Sequence, residues 1–94
     1  MLKDREKAVE RRLYNKVKEA GGIALKLSAL HFAGIPDRLI LLPGGRVFFV
    51  ETKTLKKKPS PIQNVVIARL RKLGFLVYVL DSLEGVDELI KIEL

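Results

Sequence analysis

Two acidic residues and a lysine stand at a spacing that suits the hydrolysis of a phosphodiester bond. Asp37 follows Gly34-Ile35-Pro36, and Glu51 and Lys53 come directly after the apolar run Val47-Phe48-Phe49-Val50. Side chains alternate between the two faces of a β-strand, so Glu51 and Lys53 are expected on one face. Two neighbouring carboxylates favour a hard divalent cation such as Mg²⁺ (or Mn²⁺), which can activate water and stabilise a charged phosphoryl oxygen. A nearby ammonium group can hold that water or counter the developing charge.

The turn between these residues predicts that the two acids are neighbours across a hairpin. Pro43-Gly44-Gly45 is a strong hairpin signal between predicted strands at residues 37–42 and 46–53. Pairing about the central glycine sets Asp37 opposite Glu51, with Cβ atoms about 5 Å apart. Two alternatives stay open. Asp37 could be a loop residue bonded to its own backbone, and Glu51 could belong to a solvated ion pair.

The rest of the chain is predicted to form three helices and two more strands around the hairpin. Apolar residues recur at helical spacing in some segments, and in others they alternate or run continuously as strands do. These elements are a helix at residues 4–20, a strand at 23–28, a helix from Ser60-Pro61 to Gly74, a strand at 75–80 and a short helix after Ser82. The second helix is expected to bury Ile62, Val66, Leu70 and Leu73. The order α-β-β-β-α-β-α predicts an α/β fold in which helices flank a mixed central sheet.

Composition narrows the classes of protein to which the chain can belong. It has 94 residues, a formal net charge of +7 and a pI near 9.9, which favour a single domain that binds a polyanion such as nucleic acid. The absence of cysteine excludes disulfides, cysteine-based zinc sites and a thiol nucleophile. Hydrophobic residues make up 48% of this short chain, which suggests that a second copy covers part of its surface.

Hydropathy along the chain predicts where the protein acts. No apolar run approaches the ~18 residues that a membrane-spanning helix needs. The charged start Met1-Leu2-Lys3-Asp4-Arg5-Glu6 lacks the apolar core of a signal peptide. We therefore expect a soluble, intracellular protein that makes no contact with a membrane.

Taken together, these motifs resemble a known nuclease family. Gly34-Ile35-Pro36-Asp37, followed by Glu51-Thr52-Lys53, is similar to the PD-(D/E)xK nuclease signature. The stretch 34–53 more closely resembles the core of the virus-type replication–repair nuclease (VRR-NUC) domain. Further matches are Gly21-Gly22, Lys26, Ser60-Pro61-Ile62-Gln63 and residues 74–81. The resemblance covers nearly the whole chain, so it implies one VRR-NUC-like domain at residues 1–94 with a restriction-endonuclease-like α/β fold.

The resemblance also implies roles for the signature residues. Asp37 and Glu51 would bind the metal ion, Mg²⁺ or Mn²⁺, together with the backbone carbonyl of Thr52. Lys53 would orient or activate the attacking water.

Two further site residues are implied outside the signature. An acid on the first helix would complete the metal site, and Glu10 is preferred over its rival Glu6. The two lie four positions apart, hence on one side of the helix. Gln63 would contact the catalytic lysine or the DNA. Alternatively, it serves only as the third residue of a capping box that begins at Ser60.

Four lysines are candidates for contact with DNA phosphates. Lys26 would lie on the first strand near the site, and Lys56, Lys57 and Lys58 follow the catalytic strand almost at once. Phosphate contacts would make DNA affinity fall steeply with salt. The alternative for the three consecutive lysines is a solvated basic loop.

The sequence thus leads to one main hypothesis of function and two rivals. The main hypothesis is a metal-dependent DNA endonuclease that acts on branched DNA like a Holliday-junction resolvase. The resemblance implies a homodimer, because short members of the family tend to pair as dimers. It also implies a bacterial or phage source and a cytoplasmic location. The first rival is a non-catalytic nucleic-acid-binding module with a nuclease fold. The second is a structural interaction protein whose basic charge is incidental.

Overall fold

A computed structural model of the chain describes residues 2–53 and 57–93. The elements in chain order are α1 (Leu2–Glu19), β1 (Ile23–Lys26), β2 (Arg38–Leu42), β3 (Arg46–Thr52), α2 (Pro61–Lys72), β4 (Leu76–Leu80) and α3 (Leu83–Glu93). The predicted α-β-β-β-α-β-α order is confirmed. Strand β1 ends earlier than expected, and β2 begins one residue after Asp37.

The four strands form one mixed sheet in the order β1-β2-β3-β4. β1, β2 and β3 are antiparallel neighbours. β4 runs parallel to β3, because α2 returns the chain to the end of the sheet at which β3 begins. In the hairpin Arg38 pairs with Val50, which is the register expected for a turn centred on Gly44. Gly44 and Gly45 have φ angles of 84° and 78°, a conformation that glycine adopts without steric cost.

The hydrophobic core lies between one face of the sheet and the helices α1 and α3. Its buried side chains are Val9, Leu13 and Val17 of α1, Ile40 and Leu42 of β2, Phe48 and Val50 of β3, Leu80 of β4, and Val86 and Leu89 of α3. The three α1 residues recur every four positions, so they form one stripe along the helix. This stripe fixes the rotation of α1, and with it the direction in which the acids of its first turns point.

Helix α2 packs against the sheet differently from the prediction. Ile67 is its buried residue, whereas Ile62 and Leu73 are 52% and 68% exposed. The expected burial of Ile62 and Leu73 is therefore wrong, although Val66 and Leu70 are partly covered. Helical periodicity identified the apolar side of α2, but contact with the sheet is made about 100° further round the helix. One apolar flank of α2 consequently faces outward.

A buried acid fixes the end of α3 far from the predicted site. The Glu93 carboxylate accepts hydrogen bonds from the Arg46 guanidinium and from the Tyr78 hydroxyl. Burial, the hydrogen bond to Glu93 and the charge of that residue raise the pKa of Tyr78 to about 12. Arg46 begins β3, so this cluster lies about 20 Å from the other end of that strand.

Across residues 2–53 and 57–93, none of the helices combines the length and the hydropathy needed to cross a membrane.

Candidate active site

The predicted signature residues meet at the end of the sheet where β2 begins and β3 ends. The Asp37 amide donates a hydrogen bond to Glu51 Oε1 at 3.0 Å. On its other side, the Asp37 carbonyl accepts a hydrogen bond from the Leu27 amide at 2.8 Å. The Lys53 amide donates to the carbonyl of Leu80 at 2.8 Å. The backbone at the site is thus held by its neighbours on both sides, and the two acids are adjacent as expected.

The Asp37 carboxylate lies against Thr52. The Thr52 amide is 3.3 Å from each carboxylate oxygen, and the Thr52 hydroxyl donates to Oδ2 at 2.6 Å. The same hydroxyl oxygen is 3.2 Å from Glu10 Oε1. A hydroxyl carries one proton, so it can donate to only one of the two carboxylates at a time. Asp37 and Glu10 therefore compete for one donor.

Negative charge at Asp37 is poorly compensated. Burial, as the largest cause, together with the charges of Glu51 and Glu10, raises the pKa of Asp37 from 3.8 to about 6 against the lowering effect of hydrogen bonds from Thr52. A carboxyl group with a raised pKa in a cleft is a mark of a functional site. A bound cation would supply the missing positive charge.

Three acids are arranged so that they fit a divalent cation. One carboxylate oxygen from each of Glu6, Glu10 and Asp37 lies within 4.8 Å of the other two. Opposite ligands of a Mg²⁺ ion are about 4.2 Å apart, since each bond is about 2.1 Å long. Small side-chain rotations would therefore bring all three oxygens into one coordination sphere. Glu6 and Glu10, which were predicted as rivals, both approach Asp37.

Glu51 has a different environment from these three acids. It is 3% exposed, and its Oε2 is 2.9 Å from Lys53 Nζ and 2.8 Å from Gln63 Nε2. With the Asp37 amide on Oε1, both of its oxygens have donors, as a buried carboxylate requires. Glu51 lies beside the group of Glu6, Glu10 and Asp37 but outside it. The predicted acidic ligands are thus divided in the structure, since Asp37 and Glu10 lie in a group with Glu6, whereas Glu51 is paired with Lys53.

Gln63 completes the predicted capping box and also contacts Glu51, the ion-pair partner of the lysine that the resemblance assigned to it. Its Oε1 accepts a hydrogen bond from the Ser60 amide at 2.9 Å, and the Ser60 hydroxyl accepts one from the Gln63 amide at 3.3 Å, which completes the capping box. Its Nε2 donates to Glu51 at 2.8 Å. A side-chain amide has an acceptor end and a donor end, so the two roles are compatible. Gln63 thereby ties the start of α2 to the site.

The candidate phosphate-binding lysines are exposed where the structure describes them. Lys26 is the last residue of β1 and pairs with Arg38, which places it at the site end of the sheet. Lys57 and Lys58 are exposed in the segment before α2. Lys56 lies outside the described residues.

Sequence reasoning missed the Thr52 side chain. Thr52 was expected to offer only its backbone carbonyl, yet its hydroxyl contacts both Asp37 and Glu10. The alternation of β3 contained the signal. If Glu51 and Lys53 face the α2 side, Thr52 between them must face α1, where the helix acids lie.

Comparisons with known proteins agree with this architecture. No family model matches the chain. The chain is 46% identical over 78 residues to "Putative nuclease p44" of Acyrthosiphon pisum secondary endosymbiont phage 1, covering 83% of this chain and 84% of that protein. A solved structure described as a VRR_NUC domain matches with a TM-score of 0.88 at 36% sequence identity, covering 96% of this chain and 98% of that one. The chain belongs to the VRR-NUC family of nuclease domains, as its motifs predicted.

Proposed function

We propose that the chain, as one domain over residues 1–94, is a metal-dependent endonuclease that hydrolyses DNA. The observation that carries the proposal is the half-buried Asp37 carboxylate, whose pKa is raised to about 6 beside two helix acids and a lysine-paired glutamate. Such a site favours a cation that the chain itself does not supply. The description of the phage relative as a nuclease and the family of the solved structure support the same reaction class.

Asp37, Glu10 and Glu6 are the residues that would hold Mg²⁺ or Mn²⁺, and Glu51 and the carbonyl of Thr52 are the further ligands that the family resemblance implies. A bound ion would lower the pKa of water and stabilise charge on the scissile phosphate. The chain's own part is to keep these oxygens in place through the core contacts of α1 and the β2–β3 pairing.

Lys53 is suited to act on the water or the phosphate. Its Nζ lies 2.9 Å from Glu51 Oε2, and its side chain is 23% exposed. The ammonium group is therefore held in place by Glu51 and remains accessible to substrate. It can orient a water for attack and counter the negative charge that develops on the phosphoryl oxygens. Gln63 positions Glu51 through a hydrogen bond, and Glu51 in turn holds the Lys53 side chain in place.

The proposed substrate is branched DNA, cut by a homodimer. The net charge of +7 favours binding to a polyanion, and a symmetric dimer would set two sites on two strands of a four-way junction. Exposed apolar side chains on β1, such as Ile23 and Leu25, leave surface that a second copy could cover. With a phage relative, the proposed place of action is the bacterial cytoplasm.

A cleavage assay tests the proposal. Labelled four-way junction, flap and linear duplex DNA are incubated with wild type, Asp37→Asn, Lys53→Ala and the control Lys91→Ala, in Mg²⁺, in Mn²⁺ and in chelator. Lys91 is an exposed lysine on α3, so its removal changes charge without touching the site.

We expect wild type and Lys91→Ala to cut only with metal, and both site variants to lose at least about 100-fold in rate. Paired nicks restricted to the junction would establish resolvase-like action. Folded wild type that binds DNA and cuts nothing under any metal would reject the enzyme and favour a nucleic-acid-binding module.

A further inference from the structure

A groove with apolar walls and one arginine lies beside the candidate active site. It runs between α2 and the connection at residues 27–37, and its volume is about 280 Å³. We call it the α2 groove, and its lining residues are Phe32, Ile35, Val66, Arg69, Leu70 and Leu73. It includes the apolar flank of α2 that sequence periodicity expected to be buried.

The walls of the α2 groove are held rigidly together. Gly34 is buried with a φ of 84°, and a Cβ added there would lie 2.8 Å from the carbonyl oxygen of Ile62. The connection therefore packs directly on the backbone of α2. Within it, the Ser28 carbonyl accepts the His31 amide at 3.1 Å, and the Phe32 carbonyl accepts the Ile35 amide at 3.2 Å. These turns make the groove a preformed feature of the fold.

Two lining residues of the α2 groove lie close along the chain to residues of the candidate site. Ile35 lies two residues before Asp37, and Val66 follows Gln63 by about one helical turn. From Gln63 to Leu70 the helix rises about 10 Å, which equals about three stacked nucleotides. A DNA strand with its scissile phosphate at Asp37 therefore passes the groove within a few nucleotides.

The chemistry of the lining fits a nucleobase next to a phosphate. The Phe32 side chain is 53% exposed, and an aromatic face of this kind stacks on any base. Arg69 brings a planar guanidinium, which binds phosphate oxygens through paired hydrogen bonds. The groove is at the small end for ligand sites, which suits one ring system.

Charge argues against a second copy as the occupant. None of the described residues that line the groove is acidic, and α2 carries Arg69, Arg71 and Lys72 with no acid along its length. Arg71 donates a hydrogen bond to the carbonyl of Val77 at 2.6 Å, but two α2 helices facing each other across a two-fold axis would still bring the Arg69 and Lys72 cations of both copies together. A polyanion satisfies them.

We propose that the α2 groove binds one unpaired nucleobase of the DNA substrate, while Arg69 contacts the neighbouring phosphate. The inference rests on the proposed nuclease function and names its substrate class: DNA with an unpaired base within a few nucleotides of the cut. A base stacked inside a duplex cannot enter such a groove without leaving the helix. Branched or bulged DNA supplies that base at lower cost, and the groove thereby selects it.

The test measures binding separately from cutting. Asp37→Asn, which is expected to fold but not to cleave, is titrated in Mg²⁺ with a duplex carrying a single 2-aminopurine bulge and with the fully paired duplex. The groove variants Phe32→Ala, Phe32→Leu and Arg69→Ala are made in this background. Matched controls are Val65→Ala, which is 67% exposed on α2 outside the groove, and Lys72→Ala, a cation of the same last turn.

We expect the bulged duplex to bind at least about tenfold tighter than the paired one, with a change in 2-aminopurine fluorescence on binding. Phe32→Ala and Arg69→Ala should each reduce that ratio about fivefold or more, and Phe32→Leu should reduce it partly. Val65→Ala should leave the ratio unchanged. Lys72→Ala should weaken both duplexes equally.

Three results would overturn the proposal: equal binding of the two duplexes, an unchanged ratio in the folded groove variants, or a switch from dimer to monomer in Phe32→Ala during sedimentation. The last would identify the groove as the dimer face. The wild-type cleavage assay is independent of all three. Metal-dependent cutting without bulge preference leaves the nuclease in place, and bulge preference without cutting removes the nuclease but keeps the base-binding groove.

Discussion

At the scale of single residues, the carboxylates of the candidate site differ in the hydrogen-bond donors that they have. Glu51 has Lys53 and the Gln63 amide, whereas Asp37 shares the Thr52 hydroxyl with Glu10. Burial, followed by the charges of Glu51 and Glu10, raises the pKa of Asp37 to about 6. Ionised Asp37 therefore destabilises the metal-free fold.

Asp37→Asn should stabilise the protein in the absence of divalent metal. Between pH 3.8 and about 6, folded Asp37 keeps a proton that the unfolded chain has released, so the free energy of unfolding falls as pH rises. We expect the variant to gain about 1–2 kcal/mol at pH 7.5 and much less at pH 4.5. Urea unfolding in chelator measures this.

Two controls sharpen that experiment. Glu88→Gln, which alters an exposed acid on α3, should show no comparable gain at either pH. Adding Mg²⁺ should raise the stability of wild type towards that of Asp37→Asn, because a ligand that binds only the folded state stabilises it. A gain at pH 4.5 as large as at pH 7.5 would contradict the assigned cause.

The residue scale also shows how far the sequence reaches. Asp37, Glu51 and Lys53 were found because strand alternation and a two-glycine turn leave few registers. The approach of both Glu6 and Glu10 to Asp37 was not predicted, since it depends on the rotation of α1 over the sheet. That rotation is set by packing of the core stripe, which local pattern does not encode.

At the scale of elements, the first turn of α2 combines a capping box with a contact to the candidate active site. Ser60 and Gln63 cap the helix, and Gln63 alone continues to Glu51. The same junction explains why the sequence left two roles open for Gln63. A capping motif is visible in four residues, but its second contact crosses to another element.

Ser60→Ala and Gln63→Ala should separate the two roles. Both lose a capping bond, and each should cost about 1 kcal/mol of unfolding free energy. Only Gln63→Ala also frees Glu51 and Lys53, so its cleavage rate should fall about tenfold or more while Ser60→Ala stays near wild type. Equal rate losses in the two variants would mean that α2 acts through its cap alone.

The contact between Tyr78 of β4 and Glu93 of α3 makes stability depend on pH outside the site. Because the pKa of Tyr78 is raised to about 12 from 10.0, the folded protein holds a phenolic proton that the unfolded chain loses above pH 10. Stability should therefore decline between pH 10 and 12. Tyr78→Phe should lack that part of the decline. The difference in unfolding free energy between wild type and Tyr78→Phe should therefore be smaller at pH 11 than at pH 9.

Chemical unfolding at those two pH values measures the effect. Tyr14→Phe is the matched control, because Tyr14 is 44% exposed and its hydroxyl should contribute little. An advantage of wild type over Tyr78→Phe that stays constant from pH 9 to pH 11 would show that the tyrosine proton is not linked to folding.

At the scale of the whole molecule, the acidic site is a local exception on a chain of net charge +7. The mixed sheet and its order followed from element order, turn chemistry and the crossover rule. The outward flank of α2 was not predicted, because tertiary packing buries Ile67 and leaves Ile62 and Leu73 exposed, although all three are apolar. Periodicity reports which side is apolar and leaves open what covers it.

DNA affinity should fall steeply with salt, and the basic segment before α2 should contribute to the slope. Removing two phosphate contacts by Lys57→Ala and Lys58→Ala together should reduce the magnitude of the slope of log affinity against log salt by about 1–2. The control pair Lys18→Ala and Lys91→Ala makes the same change in net charge away from the site. If both pairs change the slope alike, the effect is global charge and not contact.

The hairpin turn at residues 43–45 has a practical consequence for the architecture. It lies at the opposite end of β2 and β3 from the signature residues, and a Cβ on Gly44 or Gly45 would meet nothing within 4 Å. Both glycines have positive φ, so the turn tolerates lengthening better than simple replacement. A second domain, or a surface tether for single-molecule work, could be inserted here. It would lie at the end of the sheet opposite the candidate active site and would leave that site accessible.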